Sequence, residues 1–225
     1  MNAALRAASK GEETRTAILD EALRVASRLG LEGLTIGTLA EATGMSKSGL
    51  FAHFGSREGL QLAVLDHGAG SFASHVVEPA VRIERGLPRL RAMFSNWVNW
   101  TISSGLPGGC ILIAAAHEYD DRPGPIRDSV VAMQRRGLSV IARAVNLAIE
   151  AGHLRASTDP EQFAFEMMGI VLVAHHHGRL LGDAGARERA LAAFEALLAR
   201  HATPAESRAT PATAPTKAPR LKRAG

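Results

Sequence analysis

Apolar and small residues recur along this chain at the spacing of α-helices. Between 126 and 151 they alternate steps of four and three, so they share one face of a long helix that Gly152 ends. The second half of the chain shows no strand-like alternation. The pattern therefore predicts further helices over 14–35, 57–77, 87–104, 110–119, 160–174 and 187–199.

Two short helices joined by a tight turn are predicted by the segment TIGTLAEATGMSKSGLFAHF. Thr35 and Ser46 are good N-cap residues, because a hydroxyl accepts a hydrogen bond from an unpaired amide of the first turn. Gly44 suits the left-handed turn between them. Leu50 and Phe54 give the second helix a buried side. Its outward residues suit phosphates, base edges and thymine methyls, and they are Lys47, Ser48, Gly49, Phe51, Ala52 and His53.

This spacing alone leaves two interpretations open, a DNA-reading helix-turn-helix and a plain helical hairpin. The surroundings favour the first. An amphipathic helix precedes the motif, and Ser56 caps another helix after it. From about Thr14 to Leu65, this order of helices, with Phe, Gly, Ser, a basic and an acidic residue after the motif, resembles the N-terminal domain of the TetR family of one-component transcriptional regulators.

The resemblance implies an all-α fold, in which an N-terminal three-helix helix-turn-helix domain precedes a helical ligand-binding and dimerisation domain. In that family, ligand binding moves the helix that links the two domains and changes the separation of the recognition helices in a dimer. We expect four segments, namely a flexible arm (1–11), the helix-turn-helix DNA-binding domain (12–56), the helical ligand-binding and dimerisation domain (57–201), and a disordered basic tail of Pro, Ala and Thr (202–225).

The DNA contacts are expected on the second short helix and its flanks. Phe51 stands where the family usually has Tyr, so a phosphate-binding hydroxyl is absent. Gly49 costs the helix up to about 1 kcal/mol relative to alanine. Arg57 replaces the usual lysine and could hold a phosphate. The predicted contacts are Thr35, Ser46, Lys47, Ser48, Gly49, Phe51, His53 and Arg57.

The net charge of +4 does not by itself indicate nucleic-acid binding. Residues 202–225 carry five Lys or Arg against one Glu, so the rest of the chain is neutral. We expect modest non-specific DNA affinity, with a tail that either adds to it or is inert.

Other features of composition indicate the compartment. The single cysteine excludes an internal disulfide and fits a reducing cytoplasm. No apolar run approaches the roughly 20 residues of a membrane span, and 1–10 lacks the apolar core of a signal peptide. We expect a cytoplasmic protein with no membrane contact.

The resemblance also implies a ligand cavity and a homodimer interface in the second domain. A mainly apolar cavity with a few polar groups would suit a small hydrophobic effector. Its predicted lining is Met93, Phe94, Trp97, Trp100, Ile113, His117, Met133 and Met168. The last two helices are expected to pair with their copies in a second subunit, rather than to be buried in their own, through Phe163, Met167, Ile170, Leu172, Phe194 and Leu198.

Candidate chemistry in the second domain is weak. Cys110 and His117 share one helix face, Glu118 follows, and His175–His177 lie on a later helix, but none of these has the short fixed spacing of paired metal ligands. We expect a structural thiol rather than a metal or redox role, no cofactor, no metal and no catalytic residues.

These observations predict a regulator and not an enzyme. We expect a repressor that is released from a palindromic double-stranded operator by a small hydrophobic molecule. Two alternatives stay open, a helical metal-dependent enzyme using His117 and Glu118, and a TetR-like activator without an inducer.

Overall fold

The computed structural model describes residues 2–103 and 105–204, with side chains for all of these except 2–10 and 103. The helices of this part of the chain are α1 (Asn2–Gly33), α2 (Ile36–Thr43), α3 (Lys47–Phe54), α4 (Arg57–Phe72), α5 (Glu78–Val81), α6 (Leu87–Ser103), α7 (Ile111–Glu118), α8 (Pro125–Glu150), α9 (Pro160–His175) and α10 (Ala186–His201). The predicted all-α fold is confirmed. None of these helices combines the length and hydropathy of a membrane span.

The start of the chain differs from the prediction. Helix α1 begins at Asn2, so residues 2–11 of the predicted arm are helical. The segment is rich in alanine, the strongest helix former, and this continues the helix toward the N-terminus. Of the predicted tail, residues 205–225 lie outside the described chain. Ala202 forms an isolated β-bridge with Leu154.

The helix that links the two halves of the chain runs further than predicted. The sequence predicts a helix over 57–77, but a π-helical turn, Ala73–Val77, joins α4 to α5, which reaches Val81. Pro79 takes the second position of α5, where a missing N–H needs no helical partner. A second π-helical turn, His176–Leu180, continues α9.

The N-terminal core extends beyond the four helices that begin the chain. Leu31, Leu39, Leu50 and Leu60 are fully buried where α1 to α4 meet. The same cluster includes residues of α7, of the segment after it and of α8, namely Ile111, Ala115, Tyr119, Ile126 and Val130. Packing is therefore continuous from the helix-turn-helix into the second half of the chain.

The second core lies among α6, α8, α9 and α10. Phe94 stacks on Phe194 with ring centroids 4.0 Å apart, and Phe163 meets Phe194 edge-on at 6.3 Å. All three rings are buried. This aromatic contact ties α6 to both C-terminal helices.

Candidate nucleic-acid interface and ligand cavity

The helix-turn-helix forms by local capping, as the sequence predicts. The Thr35 hydroxyl accepts a hydrogen bond from the Thr38 amide at 3.0 Å, and the Thr38 hydroxyl accepts one from the Thr35 amide at 2.9 Å. The Ser46 hydroxyl caps α3 by accepting from the Gly49 amide at 3.1 Å. Gly44 between the helices has a left-handed backbone with φ of 68°, which favours glycine.

Helix α3 presents an exposed surface of mixed chemistry. Lys47, Ser48, Phe51 and His53 are exposed, whereas Leu50 is fully buried beneath them. Phe51 leaves 54% of its surface open to solvent, a large fraction for an aromatic side chain. Within the described residues, no hydrogen bond or ion pair holds the Lys47 ammonium group. This surface offers one cation, a hydroxyl, an imidazole and an apolar ring to a partner.

Arg57, which was expected to hold a phosphate, is paired with Glu32. Its guanidinium donates to the backbone carbonyl of Glu32 and lies 3.0 Å from the Glu32 carboxylate. Any phosphate contact by Arg57 would compete with this ion pair. Arg57 therefore ties the start of α4 to the end of α1.

A cavity of about 210 Å³ lies between the linking helix, α6, α7, α8 and α9. Among the predicted residues, Met93, Trp97, Ile113, Met133 and Met168 line it. The contribution of α4 and the π-helical turn to the lining was not predicted, because those residues also fit an ordinary core pattern. They are Ala69, Phe72, Ala73, Val76 and Val77.

Three residues of the predicted lining lie elsewhere. Phe94 is removed from the cavity because its ring stacks in the second core. Trp100 packs behind the cavity, and His117 lies near the far end of α7. The lining therefore lacks the His117 imidazole, which was expected to supply a polar group.

Cys110 lies at the N-cap of α7 and lines the cavity. Burial raises the pKa of its thiol above the ordinary value. A thiol that stays protonated is a poor nucleophile and metal ligand. This environment favours the structural role that the sequence analysis expects for Cys110.

The opposite end of α7 holds the helix-turn-helix domain. The Glu118 carboxylate accepts hydrogen bonds from the backbone amides of Leu31 and Glu32, both at 2.8 Å. Gly30 makes this approach possible, because its φ is +74° and a Cβ there would lie 2.9 Å from both carboxylate oxygens. We call Glu118 and these two amides the α7 clamp.

The α7 clamp is extended by a network around Glu32. The Tyr119 hydroxyl donates to the Glu32 carboxylate at 2.7 Å, and Arg122 lies 3.7 Å from it. The hydrogen bond from Tyr119, assisted by Arg57, lowers the pKa of Glu32. Burial and the neighbouring Glu32 raise the pKa of Tyr119. The contacts of Glu118 and Tyr119 with α1 were not predicted, since they join residues 86 or 87 positions apart and form no local motif.

The predicted dimer residues are mostly buried in their own chain. Phe163, Met167, Phe194 and Leu198 are buried in the second core, so their assignment to an interface is wrong. Leu172 is partly buried and lines the cavity. The periodicity located the apolar face correctly, but that face packs on α6 and α8. Ile170 alone of the set lies on the outer groove between α9 and α10, beside exposed Val173, Ala193 and Ala196.

The three consecutive histidines form no evident metal site. Nε2 of His175 is buried without a hydrogen-bond partner among the described residues, whereas His176 is exposed. Burial, then the nearby charge of Arg179, lowers the pKa of His175. No cluster of three His, Cys, Asp or Glu side chains within the described chain has an arrangement suited to a metal ion.

Two family models match this chain. "Bacterial regulatory proteins, tetR family" matches residues 18–64, and "Tetracyclin repressor-like, C-terminal domain" matches residues 86–194. The first covers the helix-turn-helix, and the second covers most of the cavity and the C-terminal helices. Together they span more than half of the chain.

Individual proteins agree with the family models. The chain is 39% identical over 82 residues to the transcriptional repressor AcnR of Corynebacterium glutamicum, covering 36% of this chain and 44% of AcnR. It is 31% identical over 128 residues to the repressor ComR of Escherichia coli, covering 55% of this chain and 61% of ComR. The chain thus spans less than two thirds of either relative.

A solved structure covers more of the chain. AibR in complex with isovaleryl coenzyme A and operator DNA has a TM-score of 0.62 at 25% identity, over 82% of this chain and 96% of AibR. The similarity extends through both the helix-turn-helix and the helices around the cavity.

Proposed function

Because this chain belongs to the TetR family, we propose that it is a homodimeric transcriptional repressor that a small hydrophobic effector releases from a palindromic operator. The continuous connection from cavity to α3 supports this function. Helix α7 lines the cavity at one end and carries the α7 clamp at the other. Its relatives AcnR and ComR are named as repressors, and AibR was solved with both operator DNA and an acyl thioester.

DNA recognition is assigned to the exposed surface of α3. Lys47 would hold a phosphate, and Ser48, Phe51 and His53 would face the major groove. Thr35, Ser46 and Gly49 would lie near DNA phosphates at the N-termini of α2 and α3, where the first-turn amides that are not bound by the caps favour phosphate. A dimer would place two such helices about one DNA turn apart, 34–36 Å.

Release follows from the way α7 joins the two regions. An effector in the cavity pushes on the apolar end of α7 and on the linking helix. The α7 clamp and the Glu32 network carry that displacement to α1 and to the start of α4. The recognition helices then no longer match both half-sites.

The dimer is assigned to the outer groove of α9 and α10. Phe165 and Val173 are 72% and 58% exposed on α9, and small Ala193 and Ala196 allow close approach from α10. Val173→Arg is expected to give monomers in light scattering, with the equally apolar, exposed Val81→Arg as control. A dimer that survives Val173→Arg and Phe165→Arg together would refute this interface.

The structure argues against the alternative of an enzyme that uses His117 and Glu118, because Glu118 is already bound to other groups. Both Glu118 oxygens accept backbone amides, so the carboxylate is committed to holding α1. We propose that the protein is not an enzyme, needs no metal or cofactor, and acts on DNA in the cytoplasm.

Operator binding is the decisive test. Fluorescence anisotropy with the DNA upstream of its own gene should show saturable, sequence-selective binding. Lys47→Ala should weaken it about tenfold and lower the salt slope by about one per protomer, while Arg143→Ala, an exposed cation on α8, should change neither. Sequence-blind binding that is unchanged in Lys47→Ala would refute the assignment.

A further inference from the structure

Arg136 distinguishes the cavity from a purely apolar core. The lining is built from aliphatic, aromatic and methionine side chains, and among its described residues Arg136 is the one that carries a charge. The other strongly polar group of the lining is Gln134, whose amide nitrogen donates to the Leu112 carbonyl at 3.3 Å. Gln134 is thus committed to α7.

The position of Arg136 defines the mouth of the cavity. Arg136 and Val140 lie four residues apart on α8, so they share one edge of the helix. Both are exposed and both belong to the lining. Ile141, on the inward side of the same helix, is buried. The cavity is therefore apolar inside and opens to solvent beside a guanidinium group.

The Arg136 guanidinium is available to a ligand. No hydrogen bond or ion pair joins Arg136 to another residue within 2–103 and 105–204. Several other arginines of the same chain are engaged, such as Arg91 with Glu195 at 2.8 Å and Arg89 with the Ile83 carbonyl. An arginine fork with free donors matches a carboxylate in charge and geometry.

We infer that the effector is a small amphiphile with a carboxylate head at Arg136 and an apolar tail inside the cavity. The inference rests on the proposed function, because it names the class of molecule that would release the operator. The volume of about 210 Å³ lies below the roughly 300–1,000 Å³ of sites for drug-sized ligands, so the tail is a medium-length chain or a single ring.

The chain carries its own reporter for this binding. Its two tryptophans are Trp97, which lines the cavity, and Trp100, which packs behind it. A ligand that enters the cavity therefore changes the intrinsic fluorescence. Octanoate, 1-octanol and octylamine have the same tail and differ in head charge, so they separate the contribution of the head from that of the tail.

The wild-type protein should bind octanoate about fivefold more tightly than 1-octanol and should bind octylamine least, as expected for an exposed ion pair. Arg136→Gln should remove the preference for octanoate, because the affinity for octanoate falls much more than that for 1-octanol. Arg136→Glu should reverse the order in favour of octylamine. Arg135→Gln, an exposed neighbour on α8 outside the lining, should keep the wild-type order.

Three outcomes would overturn the inference. These are equal affinity for the three heads in the wild type, an octanoate preference that survives Arg136→Gln, and failure of all three molecules to bind. Because fluorescence is read without DNA, the result is independent of the repressor assignment. Octanoate binding through Arg136 with unchanged operator affinity would uphold the carboxylate site and refute release by this ligand.

Discussion

The two ends of α7 make different kinds of contact. At the N-terminal end, Cys110, Leu112 and Ile113 face a cavity through contacts that have no preferred direction. At the C-terminal end, Glu118 and Tyr119 hold α1 through hydrogen bonds of 2.7 to 2.8 Å. Apolar contacts adapt gradually to a ligand, whereas hydrogen bonds are lost within a fraction of an ångström. The proposed release mechanism requires this difference, because the contacts at one end must adapt to a ligand while those at the other end must keep hold of α1.

Loss of the α7 clamp should have the largest effect. Glu118→Ala leaves the Leu31 and Glu32 amides without their acceptor, and we expect the free energy of unfolding in urea to fall by about 2–3 kcal/mol. The affinity for 1-octanol should stay near that of the wild type, because the damage lies at the other end of α7.

The control for the α7 clamp is Asp121→Ala, an exposed carboxylate three residues further on. It should change stability by less than about 0.5 kcal/mol. Equal stability of Glu118→Ala and Asp121→Ala would show that the α7 clamp does not stabilise the fold.

Filling the cavity should weaken ligand binding and leave the α7 clamp intact. Gly137 lies in α8, lines the cavity and has open space where a Cβ would be. Gly137→Leu should weaken 1-octanol binding about tenfold by occupying that space, and stability should rise by up to about 1 kcal/mol because glycine is a poor helix former. Fluorescence titration and urea unfolding measure the two effects.

Gly70→Leu is the matched control for this substitution. Gly70 is a helical glycine in α4 with equally open surroundings, but it lies outside the lining. It should gain the same helix stability and keep the full ligand affinity. Undiminished binding by Gly137→Leu would place the ligand elsewhere.

Removing the Tyr119 hydroxyl should slightly weaken the attachment of the C-terminal end of α7 to α1. Tyr119→Phe deletes the donor to Glu32 but keeps the ring under Arg122, so we expect a loss of about 1 kcal/mol in urea unfolding. In Glu118→Ala the same substitution should cost less, because the two groups hold the same segment of α1. Strict additivity in this double-mutant cycle would separate Tyr119 from the clamp.

The smallest expected effect is the pH dependence of the Glu32 network. The hydrogen bond from Tyr119 lowers the pKa of Glu32 below its ordinary 4.5 in the folded state. Its stabilisation is therefore present above pH 4.5 and is lost as the pH falls through the lowered value. Between pH 5 and 3, Tyr119→Phe should lose less stability than the wild type, by a few tenths of a kcal/mol because the Glu32 carboxylate is exposed to solvent. A steeper loss in the variant would contradict this sign.

Local signals determined the helices and the helix-turn-helix. The Thr35 and Ser46 caps and the Gly44 turn act within four residues, so the sequence alone contains the information for them. The alternating steps of α8 predict its buried face only in part: Ile126, Val130 and Ala144 are buried, whereas Val140 is exposed and Ile141 and Val145 are buried instead. Five of the eight residues that the family resemblance assigned to a cavity do line one.

Which surface meets which partner was decided by the tertiary structure. An apolar stripe on α9 or α10 fits a neighbouring helix and a second subunit equally well, and only the packing of Phe194 on Phe94 assigns it to the protein's own core. The α7 clamp joins Glu118 to amides 86 and 87 residues earlier in the chain. Such contacts depend on where the folded chain brings distant segments together, and backbone amides carry no signature in the sequence.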